Sequence, residues 1–482
     1  MRFIGRQDEL LTLKNLLKKE SASLIIIKGR RRIGKSRLLE EFSSMFQKSF
    51  VFSGLPPTEQ TTAQSQRNEF AGQLARQTDD SDFKKEDWSD LFWELSKHTK
   101  KGRALIILDE ISWMDAEDPD FLGKLKTAWD LYFKKNDKLV LAICGSAAAW
   151  IEKNILSSTG FLGRESLILT LEELPLYHCA EFWNSENTRI SAHEKIKLLA
   201  VTGGIPRYLE HINPLLSADE NIRQMCFNKS GILFNEFEKI FSDLFNKKNV
   251  LYKKIVSCLA DGLSDQKAIS KKTGIQWDGD FSEYLDDLVK SGFISRDFTW
   301  DIKTGKTAKL SHYRLRDNYS RFYLKYILPN RQRIELGDMS KASMSSQKGW
   351  TSIMGLQVEN LVLSNRHLIK NALKIDPNDV VCDNPFFQRN TKKKRGCQID
   401  YMIQTQHNTL YICEIKYSKN EIGTEIIDEM NEKIKRLQPP KRFSFRTVLI
   451  HVNGISEALE DSKFFSYTID LGDFLKPIGA QA

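Results

Sequence analysis

The stretch Leu24-Ile25-Ile26-Ile27-Lys28-Gly29-Arg30-Arg31-Arg32-Ile33-Gly34-Lys35-Ser36 constrains the front of this chain more than any other. A short apolar run ends in a loop that fits G-x-x-x-x-G-K-[ST], and Arg37-Leu38-Leu39-Glu40-Glu41-Phe42 then reads as a helix. Strand, loop and helix in that order separate a phosphate-binding turn from a chance match. Glycines let the backbone wrap closely, so its N–H groups point at phosphate oxygens, and the new helix N-terminus adds positive potential. Lys35 is expected to reach the β- and γ-phosphates of a nucleotide, and Ser36 to offer its hydroxyl to Mg²⁺.

A second signal follows at Ala104-Leu105-Ile106-Ile107-Leu108-Asp109-Glu110, a buried apolar strand that ends in two carboxylates. Ligands of a parallel sheet gather at the C-terminal ends of its strands. Asp109 is expected to hold Mg²⁺ through water and Glu110 to polarise the attacking water. Leu139–Gly145 is another apolar strand, followed by Ser146, which reads either as a γ-phosphate sensor or as an ordinary loop start. Arg164, in Phe161-Leu162-Gly163-Arg164 before the β-like run Leu167–Leu169, reads either as an arginine finger for a neighbouring site or as a surface arginine. At the N-terminus, Phe3-Ile4-Gly5-Arg6-Gln7-Asp8-Glu9-Leu10 opens an amphipathic helix through Leu17 and is a candidate nucleotide contact. In Val201-Thr202-Gly203-Gly204-Ile205-Pro206-Arg207-Tyr208-Leu209 the glycines end one helix (Ala192–Ala200) and Pro206 starts the next.

Together these segments resemble the archaeal-type ATPases of the AAA+/STAND group of P-loop NTPases. The matches are Phe3-x-Gly5-Arg6-x-x-Glu9-Leu10, the Gly29–Ser36 loop, Leu108-Asp109-Glu110, Gly145-Ser146, Gly163-Arg164 and Thr202–Leu209. The resemblance implies ATP as cofactor, an α/β three-layer core with a helical lid, and Pro206 near the adenine. The expected nucleotide contacts are Gly5, Arg6, Gly29, Arg30, Arg31, Arg32, Ile33, Gly34, Lys35, Ser36, Arg37, Asp109, Ser146, Arg164 and Pro206. AAA+-like domains often form rings, so a homo-oligomer stays open beside a monomer.

Composition narrows the rest. At 482 residues and 41% apolar content the chain has room for about three domains with real cores. A formal charge of +9 is compatible with nucleic acid without proving it. No stretch approaches the roughly eighteen consecutive apolar residues of a membrane span. The N-terminus lacks the apolar core of a signal peptide, and a cytoplasmic protein is expected. Seven dispersed cysteines without a C-x-x-C pair read as reduced core thiols, and the histidines show no i, i+4 pair, which argues against a zinc enzyme.

Past residue 245 the pattern changes. Leu251–Leu259, Gln266–Lys272 and Asp280–Ser291 read as three helices, and Gly292–Trp300 and Thr307–Leu315 as a hairpin around Lys303-Thr304-Gly305-Lys306, which together make a winged helix. The third helix carries Asp280, Glu283, Asp286 and Asp287, which would repel DNA and favour a spacer or protein-contact role. An aromatic helix, Tyr319–Ile327, follows. The expected domains are 1–165 (ATPase core), 166–240 (lid), 241–330 (winged helix), 331–349 (linker) and 350–482 (a C-terminal α/β domain).

The C-terminal block holds a second constellation. Glu359 falls on a helix over Gly355–Leu363, Asp400 on a strand over Gln398–Ile403, and Glu414 and Lys416 on a strand over Leu410–Tyr417. Glu429, Lys433 and Lys435 lie on a following helix. Asp400, Glu414 and the Ile415 carbonyl are hard oxygen ligands suited to Mg²⁺, Lys416 is placed to orient or deprotonate water, and Glu359 to complete the metal shell. The order Glu359…Asp400…Glu414-x-Lys416 resembles the PD-(D/E)XK nuclease superfamily, with its restriction-endonuclease-like fold, although Ile399 stands where a proline is usual. Five basic residues in Arg389–Gly396 either form a solvated loop or grip a phosphate backbone.

The leading expectation is an ATPase coupled to a metal-dependent nuclease acting on nucleic acid, DNA favoured, with Glu110, Glu359, Asp400, Glu414 and Lys416 as catalytic residues. Nucleotide state would set the position of the nuclease through the winged helix, and the resemblance suggests a defence or mobile-element role. The alternative is an ATP-dependent switch whose winged-helix and C-terminal domains bind DNA or a protein without cutting.

Overall fold

Five of the apolar runs assemble into one parallel sheet. The computed structural model describes residues 3–58, 60–78, 86–116, 118–183, 189–245, 248–339, 341–392 and 395–476. The strands are β1 (Ser23–Gly29), β2 (Lys48–Ser53), β3 (Ala104–Asp109), β4 (Leu139–Gly145) and β5 (Glu165–Leu171), in the order β2-β3-β4-β1-β5. All neighbouring pairs are parallel. Leu24 to Ile27, Ala104 to Leu108 and Leu139 to Gly145 are buried, as strands covered by helices on both faces must be. Because β4 lies between β1 and β3, the C-terminal ends of β1, β4 and β3 stand side by side. The Gly29 loop, Ser146 and the Asp109-Glu110 pair therefore meet at one edge of the sheet.

One face of this sheet carries an aromatic core. Phe70 stacks on Phe52 with ring centroids 4.0 Å apart, and Trp88, Phe92 and Phe121 close around it. The Trp88 indole donates to the Asp118 carboxylate at 3.0 Å and Arg67 to the same oxygen at 2.5 Å, so the buried acid is fully paired. On the open side of β2, the helix Ala63–Thr78 supplies glutamines instead of a strand. Gln77 accepts from the Val51 amide at 2.8 Å and donates to the Val51 carbonyl at 2.9 Å. Gln73 treats Ser53 in the same way at 2.8 and 3.0 Å, and Gln66 treats Leu55 at 2.9 and 2.9 Å. These side-chain amides satisfy backbone groups that an edge strand otherwise leaves open to pairing.

The chain divides into two compact units. The first comprises Met1–Glu172, Lys239–Asn249 and Lys290–Gly292; the second comprises Glu173–Glu238, Val250–Val289 and Phe293–Ala482.

In the second unit the helix Ala192–Thr202 is capped by Ser191, whose hydroxyl accepts from the Glu194 amide, and ends at Gly203 with φ 66°. The helices Asn249–Cys258, Gln266–Thr273 and Gly279–Lys290 and the hairpin β6 (Ile294–Trp300)–β7 (Thr307–Leu315) fall within a few residues of their expected places. Isolated backbone pairing of Ser264 with Tyr313 extends the hairpin. The aromatic segment is a short helix, Asn318–Phe322, continued by a π-turn over Tyr323–Ile327. The stretch 331–349 is no bare tether: it forms a helix over Arg331–Glu335 and buries Ile334, Met339 and Met344.

A second sheet follows, built from β8 (Val380–Gln388), β9 (Cys397–Thr405), β10 (Thr409–Ile415), β11 (Ser444–His451) and β12 (Tyr467–Asp470) in the order β12-β11-β10-β9-β8. β8, β9 and β10 are antiparallel; β10, β11 and β12 are parallel, with the helix Glu425–Leu437 crossing between β10 and β11. A buried polar seam joins the hairpin to the helix Trp350–Ser364. Arg321, fully buried, donates to Gln357 at 2.9 Å and to the Leu315 carbonyl at 2.7 Å. Arg314 binds Asp297 at 2.9 Å and also donates to Asn360. Farther along, the Trp300 indole donates to Gln404 of β9 at 2.7 Å. Hairpin, helix and second sheet are thus one packed body.

Candidate functional site

The phosphate loop of the first unit takes its shape from residues that tolerate positive φ. Gly29 (φ 151°), Arg32 (φ 71°) and Gly34 (φ 94°) turn the chain from β1 into the helix Lys35–Ser43. A Cβ on Gly29 would stand 2.4 Å from the Leu171 carbonyl oxygen, so no larger residue fits there. Lys35 is buried and donates to the carbonyls of Gly29 and Arg30, both at 3.0 Å, which poises its ammonium inside the loop. The Ser36 hydroxyl donates to Asp109 at 2.8 Å, which brings together the two groups expected at Mg²⁺. Glu110, at φ 50°, accepts from the Ser146 amide at 3.1 Å and hydroxyl at 2.9 Å. Strained φ at such a position is typical of functional sites.

Other expected contacts have structural duties. Gly5 and Arg6 both have positive φ, and the Arg6 guanidinium bonds the Ile33 carbonyl at 3.2 Å, the Glu172 carbonyl and Glu9. It braces the loop from behind. Arg31 pairs with Asp243, and Arg37 with Glu40 at 2.7 Å on its own helix. Arg30 is buried. Arg164 is bound by both oxygens of Asp130 at 3.2 and 2.9 Å, a pairing that holds the Asp130 carboxyl well below the usual range. Pro206 opens the helix Pro206–Leu209 in the second unit.

The second unit gathers the other constellation. Asp400 of β9 accepts from the Ile415 amide at 3.2 Å. Glu414 of β10 is 2% exposed and accepts from Lys433, whose Nζ also stands 3.6 Å from Asp400. Lys416, one residue beyond β10, lies 3.3 Å from Glu414 and 2.6 Å from Glu429. Burial and then the Asp400 charge push Glu359 up to about 7, against the pull of Arg314, Arg321 and Lys433. The same two causes raise Glu414. Burial pulls Lys416 down, but the hydrogen bond to Glu429 and the charge of Glu414 more than offset it, leaving Lys416 above the usual lysine value. In this state Lys416 is an ammonium that can donate and orient, not a base that can take a proton from water. Lys433 is raised in the same way by Asp400 and Glu414.

Among the described residues, no group of three or more His, Cys, Asp or Glu side chains is arranged to hold a metal ion. Asp400 and Glu414 share the Lys433 ammonium instead. The donor set of Asp400, Glu414 and the Ile415 carbonyl nonetheless consists of hard oxygens of the kind a divalent cation takes. In the basic run, Lys393 and Lys394 lie outside the described residues, and Arg389 and Lys392 are exposed.

Residues 3–212 match the family described as an ATPase domain predominantly from Archaea. Over these residues the chain is similar to an archaeal-type ATPase domain. The uncharacterized protein MJECL04 of Methanocaldococcus jannaschii is 27% identical over 342 residues, which is 70% of this chain and 71% of the relative. Among solved structures, the Walker-type ATPase PABY2304 of Pyrococcus abyssi is similar at a TM-score of 0.49 and 16% identity, over 67% of this chain and 96% of that one. The ORC2 protein of Aeropyrum pernix, in its ADPNP–ADP complexes, is similar at a TM-score of 0.39 and 11% identity, over 70% of this chain and 95% of that one. No described helix is long and apolar enough to cross a membrane.

Sequence reasoning located the ATPase domain by its loop but assigned no role to Asp130, Asp243 or Lys433. The first two carry no local signal, because their partners Arg164 and Arg31 are far away in the chain. Lys433 had a signal: it sits four residues after Glu429 on an amphipathic helix that crosses from β10 to β11.

Proposed function

We propose that the chain is an ATP-hydrolysing protein whose second unit carries a metal-dependent phosphodiesterase site for nucleic acid. For the ATPase domain, the supporting observation is the Ser36–Asp109 hydrogen bond of 2.8 Å beside a loop-bound lysine. When ATP binds, Lys35 exchanges its two carbonyl partners for β- and γ-phosphate oxygens. Ser36 and Asp109 would hold Mg²⁺, which would supply neutralisation of phosphate charge. Glu110, which accepts from Ser146, would orient water, and Ser146 would report the γ-phosphate to it.

For the second unit, the observation that carries the reading is the meeting of Asp400 and Glu414 beneath two lysines. Asp400, Glu414 and the Ile415 carbonyl would hold Mg²⁺, which supplies charge neutralisation at phosphorus and an activated water. Lys416 donates to the phosphoryl oxygens, and Glu359 accepts a proton from solvent near neutral pH. The test is cleavage of labelled DNA and RNA, single- and double-stranded, with Mg²⁺ or Mn²⁺ and with or without ATP. Cleavage that Glu414→Ala abolishes while ATP turnover persists is expected.

Lys433 favours a second reading. Its ammonium bridges both acids, as in a domain that binds without cutting, and makes this unit the output of an ATP-dependent switch. Absence of cleavage under every condition, with ATP hydrolysis intact, would put that reading first.

A further inference from the structure

A cleft of about 1000 Å³ lies in the second unit, where four chain segments converge: the end of β6 with its turn, the end of β8, Asn408 between β9 and β10, and the loop after the helix Glu425–Leu437. Its cations come from three of them. Lys303 stands on the turn, Arg389 follows β8, and Lys441 and Arg442 belong to the loop. All four are exposed. One acid, Asp301, also lines the cleft; its Oδ1 accepts from the Thr304 amide at 2.9 Å and hydroxyl at 3.0 Å, so four cations face a single carboxylate.

One side of the cleft is apolar: the half-buried Pro439, Pro440 and Phe443 lie in front of Trp300 and Phe386, which are themselves buried and pack edge to face, 5.2 Å between centroids. The polar groups of the interior are used up within the protein. The Trp300 indole is spent on Gln404, and the Gln388 amide donates to the carbonyls of Arg395 and Arg436 at 2.7 and 3.0 Å. A ligand there meets the apolar side chains of Pro439, Pro440 and Phe443, four cations against the one carboxylate of Asp301, and neutral polar groups at Thr391, Asn408 and Gln438.

We infer that this cleft binds an unpaired nucleic-acid strand, its bases against the apolar wall and its phosphates on the four cations. Nucleotides of a single strand offer both surfaces at once, whereas a duplex hides its base faces. A simple anion would have no use for the wall. The volume lies at the top of the range for small-ligand clefts, which suits a run of strand. Gln388, at the cleft, pairs with Cys397 of β9, and Asp400 lies on that same strand. A bound strand would therefore lie beside the sheet that carries the acids. Its role as a substrate rests on the phosphodiesterase reading; its binding does not.

The experiment uses the full chain in EDTA, so that cleavage plays no part. Anisotropy of a labelled oligothymidylate is compared with that of a duplex of equal length and with competition by polyglutamate, across a salt series. The oligothymidylate is expected to bind more tightly than the duplex. Lys441→Glu/Arg442→Glu is expected to weaken it at least tenfold and to flatten the salt slope by about 1.4, at about 0.7 per phosphate contact on a single strand. Lys303→Glu, on a different segment, tests the same cleft should the double variant fail to fold by circular dichroism. Equal or tighter duplex binding, affinity unchanged in both variants, or tighter binding of polyglutamate overturns the inference. Strand binding here, together with no cleavage in the separate assay with Mg²⁺ or Mn²⁺, would refute the phosphodiesterase reading and leave the cleft standing.

Discussion

In the first unit Lys35 rests on two carbonyls of its own loop, whereas in the second Lys433 rests on two carboxylates from neighbouring strands. The carbonyl oxygens are fixed by backbone geometry and keep their place whatever happens to the lysine. The carboxylates repel one another, and the lysine is what reconciles them. One site is preorganised by covalent geometry, the other by mutual charge. Loss of a single side chain should therefore be a local event in the first and a collective one in the second.

The sharpest test of that contrast is Lys433→Met. It leaves Asp400 and Glu414 facing each other with only Lys416, 3.3 Å from Glu414, in compensation, and loss of one partner of a buried pair costs about 3 kcal/mol. Urea unfolding at pH 7 is expected to show this loss, and acidification to recover part of it as the carboxylates take up protons. Full stability at pH 7 would mean that the acids are not held by charge. Next in size is Lys35→Ala, expected to weaken ATP binding by about 3 kcal/mol, roughly a hundredfold, through two lost charge-assisted bonds to phosphate. Thermal stability should barely move, because the loop backbone remains. Calorimetric titration with unchanged affinity would remove Lys35 from the phosphate site.

The smallest effect sharpens the comparison through pH. The folded-state pKa of Glu359 is raised to about 7, so its neutral form suits the fold. Its contribution is fully present below the unfolded value, near 4.5, and is lost as pH rises through 7. Glu359→Gln should therefore be about 2 kcal/mol more stable than the parent at pH 8 and indistinguishable from it near pH 4. Parallel pH–stability curves for the two proteins would show that Glu359 keeps its charge at no cost.

This contrast also explains what could be read from the sequence. The Gly29–Ser36 loop is one continuous segment, so its residues declare themselves by spacing, and the apolar runs ending in Asp109 and Ser146 gave their positions in the sheet. Glu359, Asp400, Glu414 and Lys416 were legible only as an order of helix, strand and strand; that they meet depends on the pairing of β9 with β10. Lys433 was read as one more charge on a helix, because a charged helix position looks alike whether it faces water or a pair of acids. The cleft at Lys303, Arg389 and Lys441 draws on segments far apart in the chain, and no local pattern marks it. The stretch 331–349 reads as a linker because its buried methionines have no helical or strand period.

The glutamines along β2 tie the behaviour of a strand to that of a helix. The Val51, Ser53 and Leu55 amides sit at the margin of the sheet, yet their partners are side chains of Ala63–Thr78. Their exchange with solvent deuterium is consequently slaved to the docking of that helix, and the three should open together or not at all. In time rather than in space, the margin of the sheet belongs to the helix: its three protons keep a clock that runs only when the helix lifts.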